Sequence, residues 1–302
     1  MSDAHDDEIE ASRAPLLDHL VELRTRLIRC VIALVIAFII CFAFSQQALV
    51  ITVHPYTVAQ GLLAVRAKAH AGHPGFLGPV LDAWTGTRDM FLVLAGKMAA
   101  PTTTGATTLI STAPLELFFT KVKLAAVGAV ALSFPVLGQQ IYAFVAPGLY
   151  KKERRAFLPF LIASPVLFVL GAAMVYFMIL PFLMWFALNQ QITSGPISVQ
   201  LMSRISEYFD LVTTLLLAFG LCFQLPVILA LLGMAGIVSS KMLMSGWRFA
   251  VAGIVVIAAF ITPPDPISQI LLSFPIIGLY FISVGCVKLI ELRRKKDEEA
   301  VA

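Results

Sequence analysis

Six long apolar runs, divided by short polar islands, set the pattern of this chain: Leu27–Phe44, Val122–Phe144, Ala156–Leu188, Leu211–Val238, Phe249–Ile261 and Ile267–Leu289. A helix needs about 20 apolar residues to cross the hydrocarbon of a bilayer, so these runs predict membrane-spanning helices. The third and fourth are long enough to tilt or protrude. The fifth keeps only 13 strictly apolar residues before TPPDP, which predicts a tight turn joining two short spans. Pro135, Pro165, Pro181, Pro226 and Pro275 interrupt the runs. Each removes a backbone donor and predicts a kink. The expected fold is an all-α polytopic membrane protein of six transmembrane helices, the last two short.

Ahead of the first run, "LLDHLVELRTRL" spaces Leu16, Leu20, Leu23 and Leu27 along one helical face, with His19, Glu22 and Arg26 on the other. One reading is an interfacial amphipathic helix carrying a Glu22–Arg26 pair at i,i+4. The other is a glutamate held at the membrane surface to receive a cationic ligand. The chain thus divides into an amino-terminal segment, 1–26, a membrane domain, 27–289, and a charged tail, 290–302. Within the membrane domain, 72–108, ending in "PTTTGATT", reads as an outer insertion, with a local cap around a short helix Leu81–Ala95 as the alternative.

Composition agrees with the pattern. Of 302 residues, 59% are hydrophobic and 13% charged, about half the charge a soluble domain carries. The sequence pI of 8.9 would suit nucleic acid, but the basic residues flank the apolar runs, as membrane topology requires. Four Lys/Arg precede Val31, four lie in KKERR, two are Lys241 and Arg248, and five follow from Lys288, leaving seven of the 22 for the other side. The positive-inside rule then predicts both termini cytoplasmic and the loop His54–Pro114 outside. The first run is longer than a signal-peptide core and reads as an uncleaved anchor.

Several chemistries are missing. There is no GxxxxGK[ST], no HExxH and no GxSxG. Cys30, Cys41, Cys222 and Cys286 sit in apolar runs without CxxC spacing, and neither His19 nor His54 has a metal-ligand partner at helical spacing. No cofactor, metal or catalytic residue is predicted. The spans hold almost no ionisable group, whereas a proton relay needs a chain of them; the deepest polar side chain is Gln224, in "FGLCFQLPVIL". Binding, not catalysis, is the expected activity.

Glu153 bears on what is bound. It stands inside Lys151, Lys152, Arg154 and Arg155, where orientation needs only the bases. It reads either as a solvated acid paired with a neighbour or as a discriminating acceptor. A basic rim repels indiscriminate cations, while a fixed carboxylate accepts a guanidinium in two-point geometry. Glu22 and Glu153 together would suit a ligand with two adjacent arginines.

Four stretches then carry a resemblance: "HLVELRTRL" at 19–27, "FVAPGLYKKERR" at 144–155, "FGLCFQLPV" at 219–227 and "TPPDPISQ" at 262–269. In order and spacing they resemble the TatC family, the multispan core of the twin-arginine protein translocase. The likeness runs from about Leu16 to Leu289, with 72–108 as an insertion. It implies a cup-shaped receptor in the cytoplasmic membrane that binds twin-arginine signal peptides of folded proteins. It also implies an oligomeric complex with the single-span partners TatA and TatB, driven by the proton-motive force. By the same resemblance Glu22 and Glu153 would receive the twin arginines, and His19, Arg24, Phe144, Tyr150, Arg154 and Arg155 would complete the recognition surface. Tyr176 and Asp265 also fall on family positions. Asp265 has a structural reading too, as a helix N-cap followed by Pro266 at the first helical position.

One position departs. Many members carry a glutamate where this chain has Gln224, an amide that cannot ionise but can hydrogen-bond a partner helix. The rival reading, a secondary transporter of a small solute, draws on six spans and the lone Gln224. The absence of intramembrane charges and of any internal repeat counts against it.

Overall fold

The computed structural model describes residues 3–69, 109–145, 151–189, 204–261 and 266–301, with side chains from Val21 in the first helix and from Ile162 in the fourth. Within them the chain is helical: α1 (Asp3–Ala43), α2 (Ser45–Ala69), α3 (Glu116–Val145), α4 (Lys151–Met174), a π-helical turn (Val175–Ile179), α5 (Leu180–Asn189), α6 (Ile205–Cys222), α7 (Leu225–Met234), α8 (Ser240–Ser245), α9 (Trp247–Ile261) and α10 (Pro266–Val301). Among these residues, five stretches are long and apolar enough to cross a membrane: Val21–Ala43, Glu116–Ile141, Ile162–Leu188, Ile205–Met234 and Gln269–Arg293. Trp247–Ile261, which contains the predicted fifth span Phe249–Ile261, is a shorter apolar helix, whereas the last span, also expected short, reaches 25 residues because α10 continues past Leu289. The boundaries drawn at 26/27 and 289/290 fall inside the unbroken helices α1 and α10.

Proline shapes the breaks. The third run passes through the π turn just before Pro181, which has no N–H to return to the preceding turn. The fourth run breaks at Phe223–Gln224, with Pro226 in the first turn of α7. Pro135 and Pro275 are accommodated within α3 and α10. Helix α7 ends on Gly236, whose φ of 72° suits a residue without Cβ; Ile237 N–H then bonds back to the Leu232 carbonyl at 3.0 Å.

Helix α1 packs along α3, α10 along α7, α2 on α5, and α4 on α6. The α4–α6 seam uses small residues in both directions. A Cβ on Gly171 would lie 2.8 Å from the Phe219 carbonyl oxygen, and one on Gly220 would lie 2.6 Å from the Phe168 ring. Small residues let helices approach closely in lipid, where packing replaces the hydrophobic drive. Phe209, Phe219, Leu215, Val212, Trp185, Tyr56 and Leu272 are buried at the centre of this packing.

Helix α2 was not expected, since His54 onward reads as loop. It forms around Pro55, which leaves the Ile51 carbonyl without its helical donor. Tyr176 of the π turn donates to that carbonyl at 2.8 Å, and Tyr208 of α6 donates to the next, Thr52, at 2.7 Å. Tyr56 meets the Tyr208 ring edge to face. The other expectation for the outer loop, insertion 72–108 with helix Leu81–Ala95, lies outside the described residues.

Candidate functional site

From Val21 onward α1 has an exposed apolar side and a more buried one, turned around from the arrangement in a soluble protein. Leu23 and Leu27 are exposed on the outside of the helix, whereas Glu22, Arg26, Cys30, Ala33, Ala37 and Cys41 follow the more buried side. The far end of that stripe meets α3, where a Cβ on Gly128 would lie 3.1 Å from Cys41 Sγ. In hydrocarbon the apolar stripe can face lipid, and polar groups gain by turning toward protein. The Glu22 carboxylate pairs within its own helix. Its Oε1 accepts from Arg26 Nε at 3.0 Å and also from Arg26 Nη2. The Arg26 side chain is 19% exposed and Glu22 36%. Arg24 and Arg29, off the stripe, are exposed.

The remaining predicted recognition residues are placed only in part. His19 lies on α1, Phe144 on α3, and Glu153, Arg154 and Arg155 in the first turns of α4, all by main chain alone. Tyr150 and Asp265 lie outside the described residues, so the Asp265 cap is not described; Pro266 is the first residue of α10. The structure therefore puts Glu22 and Glu153 on different helices, α1 and α4, without describing their side-chain relation.

Gln224 sits at the α6–α7 break, buried, and bonds Ser164 of α4 in both directions: Ser164 Oγ donates to its Oε1 at 2.6 Å, and its Nε2 donates to the Ser164 carbonyl at 3.0 Å. One residue therefore ties the broken fourth span to the third. Leu221 and Ile228, three residues before and four after it, are largely exposed, so Gln224 lies near the edge of the packed surface.

The sequence reading missed two polar features. Glu116 opens α3 and is buried, with Oε2 accepting from Thr112 N at 2.6 Å and Ala113 N at 3.1 Å, while Oε1 accepts from Ser206 N at 3.1 Å. An Ile110–Arg204 bridge, with Ile205 N bonded to the Ile110 carbonyl at 3.0 Å, runs beside it. This carboxylate caps its own helix and holds the start of α6. The glutamate just after "STAP", at the head of an apolar run, was the available signal. The second feature is the Ser240–Glu291 contact, in which Glu291 of α10 accepts from Ser240 N at 2.8 Å and from its hydroxyl, anchoring α8 to the last helix. Among the described residues no group of His, Cys, Asp and Glu could hold a metal ion.

Several apolar helices of crossing length, packed through small residues and tied by polar caps, define a polytopic helical membrane protein. Residues 18–275 match the model of the Sec-independent protein translocase protein family, TatC, and the chain belongs to that family. Among curated relatives, the TatC of Magnetococcus marinus is 34% identical over 288 residues, covering 95% of this chain and 89% of its own. That of Escherichia coli is 31% identical over 270 residues, covering 89% and 86%. A crystal structure described as the twin arginine translocase receptor TatC is similar at a TM-score of 0.66 and 28% identity, covering 88% of this chain and 97% of its own. The family is a transport component of the membrane, not an enzyme.

Proposed function

We propose that this chain is the receptor subunit of a twin-arginine translocase, binding the signal peptides of folded proteins at a cytoplasmic surface that contains Glu22 and Glu153. His19, Arg24, Phe144, Tyr150, Arg154 and Arg155 complete that surface. The short α9 acts with α10 as a pair of spans, giving six in a concave cup in the cytoplasmic membrane, with both termini cytoplasmic. Gln224 offers its remaining hydrogen-bonding capacity to a partner helix of the TatA or TatB kind within an oligomeric complex that the proton-motive force drives. Tyr176, Asp265 and Pro266 serve the fold. One observation carries the reading: Glu22 stands on the more buried stripe of α1 and already holds a guanidinium through two nitrogens.

The test is the affinity of a labelled twin-arginine peptide for the protein in nanodiscs. A charge-assisted bond to arginine contributes roughly 1.5–3 kcal/mol when well formed, and exposure pushes it to the low end. Glu22→Gln and Glu153→Gln should therefore each weaken binding about tenfold. A twin-lysine peptide should bind native protein worse, because an ammonium lacks the planar fork. If Glu153→Gln bound twin-arginine as tightly as native protein, with its preference over twin-lysine intact, Glu153 would be no receptor.

A further inference from the structure

Three arginines follow Glu22 on α1, and they are not equivalent. Arg24 and Arg29 are exposed, while Arg26 is the one drawn onto the more buried stripe, four residues from Glu22 and bonded to its carboxylate through Nε and Nη2. One oxygen of the acceptor, Oε1, is therefore already engaged by the same chemical group that the proposed ligand would bring. A half-exposed carboxylate beside an apolar span gains modestly from a counter-charge, so an occupant in the unliganded state has a physical reason.

We propose that Arg26 is a resident guanidinium, a specificity-determining residue that an incoming arginine must displace from Glu22. The inference rests on the reading of Glu22 as an arginine acceptor. Binding at Glu22 becomes an exchange of one guanidinium for another, so a single ligand arginine gains less there than it would at an unoccupied carboxylate. A ligand that also engages a second acceptor gains a net contact. The resident thus weakens the hold of lone arginines, common on any protein surface, and it does so without disfavouring arginine as such. Its hold is modest. An i,i+4 pair of partial exposure competes weakly, so a full signal can displace it.

The test is a double-mutant cycle on the full chain in nanodiscs, reading the Kd of a labelled twin-arginine peptide. Arg26→Gln keeps a polar, hydrogen-bonding side chain but shortens it and removes the charge and the fork. It should tighten binding about two- to fivefold, the range such a half-exposed pair allows. Arg26→Lys, which keeps the charge and loses the fork, should give a smaller gain and serves as the second variant if Arg26→Gln does not insert. In a Glu22→Gln background the gain should vanish, because no acceptor is left to free. A gain that persisted there, and faded in 0.5 M salt (roughly half the 0.1 M Debye length), would mean general repulsion between Arg26 and a cationic peptide and would overturn the proposal. Weaker binding in Arg26→Gln would overturn it as well, making Arg26 a support for Glu22. Should Glu22→Gln alone leave affinity unchanged, the acceptor reading itself falls, an outcome separate from a failed exchange.

Discussion

Pro55 and Tyr176 should be energetically coupled, because one makes the vacancy that the other fills. In α2 the Ile51 carbonyl has no N–H at position 55 to receive, and the Tyr176 hydroxyl reaches it at 2.8 Å from the π turn. Tyr176→Phe removes that donor and leaves the carbonyl to whatever surrounds it. An intramolecular hydrogen bond contributes about 0.5–1.5 kcal/mol net; residue Ile51 is 59% exposed, so about 1 kcal/mol is the figure to expect. Pro55→Ala restores an N–H to the same carbonyl. In that background the tyrosine hydroxyl is redundant, and Tyr176→Phe should cost only a few tenths of a kcal/mol, an interaction energy of about 0.5–1 kcal/mol. Tyr208 is the internal control. Its hydroxyl donates at 2.7 Å to the Thr52 carbonyl, and the residue four further on, Tyr56, is no proline and carries an N–H. Tyr208→Phe should cost a similar amount in both backgrounds. The assay is thermal unfolding in detergent, with hydrogen exchange of α2 amides as the local readout. If Tyr176→Phe and Pro55→Ala were additive within about 0.3 kcal/mol, the vacancy argument would be wrong.

Two further outcomes follow from the polar ties. Glu116→Gln keeps shape but turns an acceptor into a partial donor facing the N–H groups of Thr112, Ala113 and Ser206; it should destabilise by about 1–3 kcal/mol and loosen the start of α6, read by melting and by exchange at 205–209. Gln224→Leu breaks both bonds to Ser164 and should weaken crosslinking to a single-span partner while leaving peptide affinity within about twofold, each lost membrane contact being about 0.6–1.7 kcal/mol; unchanged crosslinking would remove Gln224 from the partner surface.

What the sequence disclosed followed from local rules. Run length gave the long helices, and Pro226 and Pro181 marked the places where the fourth and third runs break or distort. The Glu22–Arg26 pair came from i,i+4 spacing alone. Helix α2 was not legible, because His54, Pro55 and the polar residues around them carry loop signals. Hydroxyls from positions 176 and 208, far away in sequence, bond its Ile51 and Thr52 carbonyls. Glu116 was half legible: capping its own helix is a local matter, but Ser206 is 90 residues distant. The orientation of α1 needed the environment as well as the period. A leucine stripe says where the apolar face is, and only the solvent on each side decides whether that face turns in or out.

Gln224 shows how far a single atom type can constrain mechanism. Its amide both accepts from the Ser164 hydroxyl and donates to the Ser164 carbonyl. A carboxylate there could accept but not donate, so an ionised glutamate would satisfy half of this contact and leave a charge in the packed interior. A protonated one could mimic the amide, at the cost of making the contact depend on pH. The glutamine closes the same seam with no proton to lose. Its amide still has one hydrogen and one lone pair beyond those given to Ser164, enough for a neutral contact with a second helix. No proton-dependent step of this protein can run through a titration at 224.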